Sequence, residues 1–402
     1  MSRLCCSRRG LAVIAAGAVL AACSGLQPPV LGSRATAQTS RSSYHVLYSF
    51  GAGTDGAAPE AGLIAVDGVL YGTTTTGGLG TGIGLGTVFS LSTIGKETVL
   101  HAFGEASQHD GQDPMASLIA VNHTLYGTTE FGRNGGTVFR ISPNGKNERV
   151  LHAFLPPSGA KPNANLIDVN GTFYGTTTVG GRGNAGTVFS MTTDGKSHDV
   201  YAFRQGTDGR YPNSDVLDVN GVLYGTTFLG GTHDLGTVFS VTASGKERVL
   251  YSFAGSPDGA DPFGNLIDVN GTLYGTTTGG GTDKHGTVFS ITTSGEERVL
   301  HSFLGSPDGA VPYGGVSAAN GMLYGVTTEG GSNYSPIGYG TVYSISMTGK
   351  NERVLYSFAG KPDAEVPYGS LVDVDGTLYG TTYLGGSGPC EFGCGAVFAL
   401  QP

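Results

Sequence analysis

The sequence contains no tryptophan, and only 13% of its residues are charged. Its basic residues form no patch beyond the first few positions. The missing basic stripe excludes the footprint of a nucleic-acid-binding protein. A net charge of −9 argues against docking on anionic lipid by charge alone. No apolar run reaches the roughly 20 residues of a membrane-spanning helix. No metalloprotease helix motif, phosphate loop, nucleophile elbow or dinucleotide fingerprint is present. Cysteine is scarce, at five residues. Glycine is abundant, with 70 of 402 residues, and Val, Leu, Tyr and Phe are well supplied. That apolar content excludes a disordered chain. So much glycine fits many short strands joined by tight turns.

Residues 1–22 read as a signal peptide. Arg3, Arg8 and Arg9 precede an apolar run over residues 11–22. Leu20-Ala21-Ala22-Cys23 resembles a bacterial lipobox. The resemblance implies cleavage before Cys23 and lipid attachment to it, and Ser24 then favours the outer membrane. Cleavage would remove three arginines and no acid, moving the net charge from −9 to −12. Residues 23–43, rich in Ser, Thr, Pro and Gly, read as the anchor and a flexible tether. Twenty such residues span about 25 Å root-mean-square. The expected location is therefore the outer membrane or cell surface of a bacterium. Palmitate fed to an expressing bacterial host should label the protein, and Cys23→Ala should abolish the label. Unchanged labelling would sink the lipid assignment.

From residue 44 to residue 402 three phrases recur in fixed order with a period near 50 residues. The first centres on Leu-Tyr-Gly, with its tyrosine at Tyr71, Tyr126, Tyr174, Tyr224, Tyr274, Tyr324 and Tyr379. The second is Gly-Thr-Val-Phe, from Gly86, Gly136, Gly186, Gly236 and Gly286, returning as GTVY from Gly340 and GAVF from Gly395. The third is Val-Leu-x-x-Phe, ending at Phe50, Phe103, Phe154, Phe203, Phe253, Phe303 and Phe358. Each period reads as four strands. Asn-Gly pairs such as Asn270-Gly271 mark a tight hairpin between the first two. Four strands per repeat and seven copies predict an all-β, seven-bladed β-propeller. The phrase order adds a test. The array opens on a lone fourth strand and ends on a third strand with no fourth after it. Joining the two closes the ring and hides the sheet edges that an open array would expose.

The unit "LYGTTxxGGxxxxGTVF" resembles the Gloeo/Verruco (GloVer) tandem repeat of bacterial surface proteins, over nearly all of residues 44–402. The resemblance implies an exported repeat protein. No molecular function is established for that family, so it implies no active site. The last copy departs from the motif, with Ala396 in place of threonine. The Gly-Gly pairs are also similar to those of kelch repeats, which share the propeller fold.

Candidate chemistry is sparse. Asp168, Asp218, Asp268 and Asp373 share one register on the first strand, the strand nearest the axis. They read either as converging ligands for a hard cation such as Ca²⁺ or as partners of nearby turn amides. No other cofactor is expected. The Asp-Gly…Pro loops, such as "SPDGADP", read as tight turns or as ligand loops. His101, His152 and His301 stand where other copies carry tyrosine, which reads as a half-exposed outer-strand position. His233, Asp234, Asp283 and His285, in two adjacent Gly-Gly loops, lack a regular ligand spacing. Cys390 and Cys394 are expected to form a disulfide in an oxidising compartment.

Loop length marks a sector. Between the second and third strands, copies one, six and seven carry the longer loops, Gly72 to Gly86, Gly325 to Gly340 and Gly380 to Gly395. Ring closure makes those copies neighbours. Their loops are expected to present Tyr334, Tyr339, Tyr383 and Phe392 as a recognition surface. The leading expectation is a monomeric, lipid-anchored propeller that binds an extracellular glycan or protein without chemistry. A propeller enzyme acting on glycans and a purely structural surface protein are the other two readings.

Overall fold

The computed structural model describes residues 43–402 apart from 80–83, 105–109, 133–134 and 334–336. Residues 1–42, which carry the expected signal peptide, the expected lipidation site Cys23 and all but the last residue of the expected tether, lie outside the described residues; Ser43 opens the first strand. Among the described residues there is no helix, and the strands form seven antiparallel four-stranded sheets. Smaller two-stranded ladders join loops on the rim.

Blade 5 shows the unit. Its inner, second, third and outer strands are Ile267–Val269, Thr272–Thr277, Thr287–Thr292 and Glu297–Ser302. Val269 pairs with Thr272, so Asn270 and Gly271 alone make the turn, at φ +55° and +82°. Both residues must accept positive φ, which is why this dipeptide marks the hairpin.

The phrases recur because they bolt one blade to the next. The Val-Leu-x-x-Phe ring of one blade meets the Gly-Thr-Val-Phe ring of the following blade edge to face. Phe253 lies 5.2 Å from Phe289, Phe203 5.1 Å from Phe239 and Phe50 5.2 Å from Phe89. Tyr343 replaces phenylalanine in blade 6 and keeps the contact, 5.1 Å from Phe303. Nothing in the structure explains its buried, unpartnered hydroxyl. The same rings explain the glycine of Leu-Tyr-Gly. A Cβ on Gly72 would lie 2.6 Å from Cζ of Phe89, its cross-strand partner.

The threonines divide the polar work. In five copies the first after Tyr-Gly donates to the next blade, as Thr176 does to the Ser214 carbonyl at 3.0 Å and Thr381 to that of Ala61 at 2.7 Å. Thr226 turns to Ser214 Oγ of its own blade, and Val326 replaces the threonine in blade 6. The second pairs within its own sheet, as Thr277 does with Thr287 at 2.8 Å. All are buried, and each hydroxyl so placed avoids the cost of an unpaired polar group.

The ring closes as the phrase order requires. Ser43–Ser49 is the outer strand of blade 7, with Ser43 opposite Gln401 and Ser49 opposite Ala396. Tyr44 stacks on Tyr356 of blade 6 at 3.6 Å and donates to Asp363 Oδ1 at 2.5 Å. The last blade is thus built from both ends of the array.

Candidate functional site

Each inner strand is entered through a proline. The residue before it holds a left-handed conformation in all seven copies, from Ala58 at φ +56° to Val366 at φ +56°. None of the seven is glycine, so the surrounding fold imposes this kink seven times against its steric cost. The residue after the proline then lines an axial cavity of about 640 Å³. Around the ring these are Glu60, Met115, Asn163, Asn213, Phe263, Tyr313 and Tyr368.

Three of them are aromatic, and they are consecutive. Phe263 and Tyr313 lie 4.8 Å apart, as do Tyr313 and Tyr368. The arc extends at both ends. Phe228 lies 6.1 Å from Phe263, and Tyr383 lies 5.7 Å from Tyr368. Five rings from four adjacent blades therefore form one continuous aromatic wall. Glu60 of blade 1 follows it. Burial raises the Glu60 carboxyl to about 7, against a weak bond from the Thr75 hydroxyl, and Glu130 and Asp113 add to the rise. Burial raises Tyr313 as well, with Glu329, Glu60 and Asp261 all adding. Tyr368 is pushed up to about 12, first by burial and then by Tyr313 and Glu60. Across the cavity Asn163 Oδ1 is buried and has no hydrogen-bond partner, while Asn213 Oδ1 accepts from the Thr178 hydroxyl at 2.9 Å.

The third residue after each proline forms another ring of the lining. Backbone N–H groups and side chains link neighbouring blades there in series. Ser117 N–H donates to Asn165 Oδ1 at 2.5 Å, Asn165 donates twice to Asp215 at 2.6 Å, and Asp215 N–H donates to Asn265 Oδ1 at 3.1 Å. Burial raises the Asp215 carboxyl to about 7, and the two bonds from Asn165 hold it down.

Of the four aromatics expected to form one surface, the structure brings only Tyr383 to this arc. Tyr339 packs against the core between blades 6 and 7. Phe392 stands 60% exposed in the last long loop, which reaches the rim beside the Phe50 carbonyl and is held by Lys361 Nζ at 2.8 Å from the Cys390 carbonyl. Tyr334 lies outside the described residues. Cys390 and Cys394 are disulfide-bonded in that loop. The three long loops share one device. The first glycine of Gly-Gly donates to a backbone carbonyl, of Gly84, Ile337 or Phe392. In compact loops the side chains of Asn184 and Asp234 take that bond.

The inner-strand aspartates serve the hairpins. Asp168, Asp268 and Asp373 accept from the N–H groups of Gly171, Gly271 and Gly376 at 2.8–3.0 Å. Asp218 shares their register on Leu217–Val219. Among the described residues, none of the four joins a cluster of three or more metal-ligating side chains. His233 bonds to Thr232, and Asp234 is held by Arg210 at 2.7 Å.

The sequence matches the Gloeobacter/Verrucomicrobia repeat over residues 35–168, 133–335 and 298–402. The chain belongs to that repeat family. No curated protein matches the sequence. Among solved structures, an oligogalacturonate lyase in complex with manganese superposes with a TM-score of 0.54 at 11% identity, over 83% of this chain and 86% of that one. An oligogalacturonate lyase from Vibrio parahaemolyticus gives 0.56 at 9% identity, over 90% of this chain and 97% of that one. At such identities the likeness shows the fold alone.

The His/Tyr exchange among the seven copies has a structural reason. Tyr48, Tyr201, Tyr251 and Tyr356 donate to Asp55, Asp208, Asp258 and Asp363 at 2.9–3.0 Å. His101 and His301 reach Asp110 and Asp308 at 3.2 and 3.1 Å in the same register. Each aspartate also accepts a loop N–H, as from Ala254 to Asp258 at 2.8 Å. The Asp-Gly loops are therefore anchored turns. Ser158 stands where the other copies have this aspartate and donates instead to the Leu155 carbonyl at 2.6 Å, and burial lowers the pKa of His152. A glutamate from the following blade completes most of these seams. Glu97, Glu148, Glu247, Glu297 and Glu352 each hold one buried oxygen with no hydrogen-bond partner. Two seams, His101–Asp110–Glu148 and His301–Asp308–Glu352, bring their ligand atoms within 4.8 Å of one another. Among the described residues, these are the groups with the donor set for a metal ion.

Proposed function

We propose that this chain is an exported, lipid-anchored propeller that binds a small ligand, free or carried on a larger partner, at the axial mouth without transforming it. The continuous arc from Phe228 through Phe263, Tyr313 and Tyr368 to Tyr383 carries the reading. Rigid aromatic faces give large contact area at low entropic cost. The unpartnered Asn163 Oδ1 across the cavity supplies an acceptor that a ligand donor would satisfy. Binding is favoured over chemistry by the lining itself. Its carboxyl groups are Glu60 and Asp215, and Asp215 is already held by two bonds from Asn165. The manganese and the lyase activity named for the fold neighbours belong to those proteins. The His-carboxylate groups of this chain lie between blades and not among the residues lining the axis.

The test is a binding screen of the mature chain against oligosaccharides, amines and peptides by calorimetry. Tyr313→Ala and Tyr368→Ala should each weaken any ligand found by about tenfold or more, in line with stacking losses of 1–3 kcal/mol per ring. The melting temperature should move by only a few degrees. Undiminished binding in both variants would move the site elsewhere. Turnover of an oligosaccharide, lost in Glu60→Gln, would replace binding by catalysis.

A further inference from the structure

We infer that the axial mouth selects a positively charged organic ligand, with an ammonium group seated against Tyr313 and Tyr368 beside Glu60. The inference rests on the axial site proposed above and adds the charge class of what fills it.

The residues lining the cavity include no lysine, arginine or histidine. Carboxylates crowd the same place. Glu60, Asp261 and Glu329 all act on the Tyr313 hydroxyl, and Glu60 and Glu329 act on Tyr368. Glu130 and Asp113 act on Glu60 from the neighbouring blade. No cation offsets them at either tyrosine. Lys161 and Arg210, beside the prolines that enter blades 3 and 4, are already engaged. Lys161 Nζ sits 2.8 Å from Glu130 Oε1 and over the Phe131 ring, and Arg210 is held by Asp234. Glu130 is thereby balanced, whereas among the described residues Glu60, Asp113, Asp261 and Glu329 make no ion pair.

Three ligand classes meet this surface differently. An anionic sugar would bring like charge into a partly desolvated mouth, where repulsion is strongest. A neutral sugar would gain stacking and hydrogen bonds but no charge attraction. An ammonium group gains twice, from the negative faces of the rings and from the carboxylates beside them. Asn163 Oδ1 refines the choice, because a buried acceptor without a partner rewards an N–H donor. Primary ammonium groups carry such donors and quaternary ones do not. An amino sugar, a polyamine and a quaternary amine therefore share the recognised chemistry and differ in this last contact.

The site should also respond to pH. Glu60 faces Thr75, Asp113 and Glu130, with Tyr313 and Tyr368 on its other side. Its carboxyl titrates at about 7, so the charge that attracts a cation is absent well below that pH and complete above it. Cation affinity should rise through neutrality.

The experiment is a calorimetric titration of the mature chain with matched probes. Tetraglucosamine, tetra-N-acetylglucosamine and tetragalacturonate, all at pH 7 where Glu60 is partly ionised, compare cationic, neutral and anionic sugars of one length. Spermidine and tetramethylammonium give the ammonium without a sugar, with and without N–H donors. The cationic sugar should bind at least tenfold more tightly than the neutral one, and the anionic sugar should bind weakest. Tetramethylammonium, whose charge does not titrate, should bind several-fold tighter at pH 8 than at pH 6. Glu60→Gln should flatten that pH dependence, leaving only the part carried by Asp215, and Tyr313→Phe should retain the affinity that Tyr313→Ala loses. Tighter binding of the neutral or anionic sugar, still sensitive to Tyr313→Ala, overturns this inference and leaves the axial site standing. Ammonium binding that ignores both Tyr313→Ala and Glu60→Gln overturns the inference and removes its support for the axial site. No ammonium binding at millimolar concentration overturns the charge assignment outright.

Discussion

Removing residues 43–50 should convert a cooperatively melting protein into one that aggregates or melts many degrees lower. The segment supplies the whole outer strand of blade 7, paired from Ser43–Gln401 to Ser49–Ala396. Its loss leaves Ala396–Gln401 as an unpaired edge, and exposed edges pair with other chains. It also removes Phe50, a fully buried ring that joins blade 7 to blade 1 through Phe89. A large buried aromatic is worth about 3–5 kcal/mol by itself. Tyr44 leaves with it, so Asp363 loses the hydroxyl that reaches it across the closing seam. These losses fall at one junction and add to several kcal/mol, a large share of the stability of any domain. Two controls locate the effect. Phe50→Ala should reproduce part of it without opening the strand ladder. Deleting residues 24–42, which precede the strand, should leave the melting temperature unchanged. A 43–50 deletion that melts with the parent would show that the ring does not depend on this closure.

The closure was readable because it is a matter of counting. A fourth strand without a blade at one end and a blade without a fourth strand at the other have one joint solution. The bolts between blades were readable for a similar reason, since phenylalanine recurs at two fixed registers. The axial mouth was not readable, for the opposite reason. Its residues sit inside a repeated frame, one after each proline, and vary freely as Glu, Met, Asn, Phe or Tyr. Repetition hides the one variable position that it frames. A column-by-column comparison of the seven copies would have exposed it, and would have shown aromatics in three consecutive copies. Loop length marks a sector that includes Tyr383, the one of the four expected aromatics that joins the axial arc. Tyr383 directly follows the second strand and reaches the axial arc, whereas Phe392 is carried out to the rim by the same loop. The His/Tyr exchange marks a half-exposed outer-strand position, as the sequence suggests, but exposure alone does not explain why only these two residue types recur. Its cause is the shared aspartate, which lies seven residues on from Tyr251 and from His301 and is visible only once the loop folds back.

Those seams carry the second large effect, a fall in stability as pH rises from about 5 to 8. Glu97, Glu247 and Glu297 are each raised to about 7, first by burial and then by a facing aspartate, Asp55, Asp208 or Asp258. Each binds its proton more tightly in the folded protein than in the unfolded chain, where the carboxyl titrates near 4.5. Folding therefore takes up protons, and the stability present below about pH 4.5 is lost as pH climbs through about 7. Glu60 and Asp215, also raised to about 7, act in the same direction. His152, lowered by burial, opposes them below its ordinary value of 6.5. Asp194 and Asp234 are lowered and oppose only in more acidic solution. An unscreened shift of this size would be worth about 3 kcal/mol per group. Half-exposure to solvent reduces that to about 1 kcal/mol for each seam glutamate. Three seams should then lower the melting temperature by on the order of 5 °C between pH 5 and pH 8. The triple variant Glu97→Gln, Glu247→Gln, Glu297→Gln keeps the shape of each side chain and removes the titration. It should melt above the parent at pH 8, near it at pH 5, and with a flatter slope between. Added salt should change the parent's slope little, because the paired carboxyls are partly buried and poorly screened. A parent that grows steadily more stable toward pH 8, or a triple variant that keeps the parent's slope, would mean that the seam carboxyls are hydrated and ionised, and that the anchored turns stand without a shared proton.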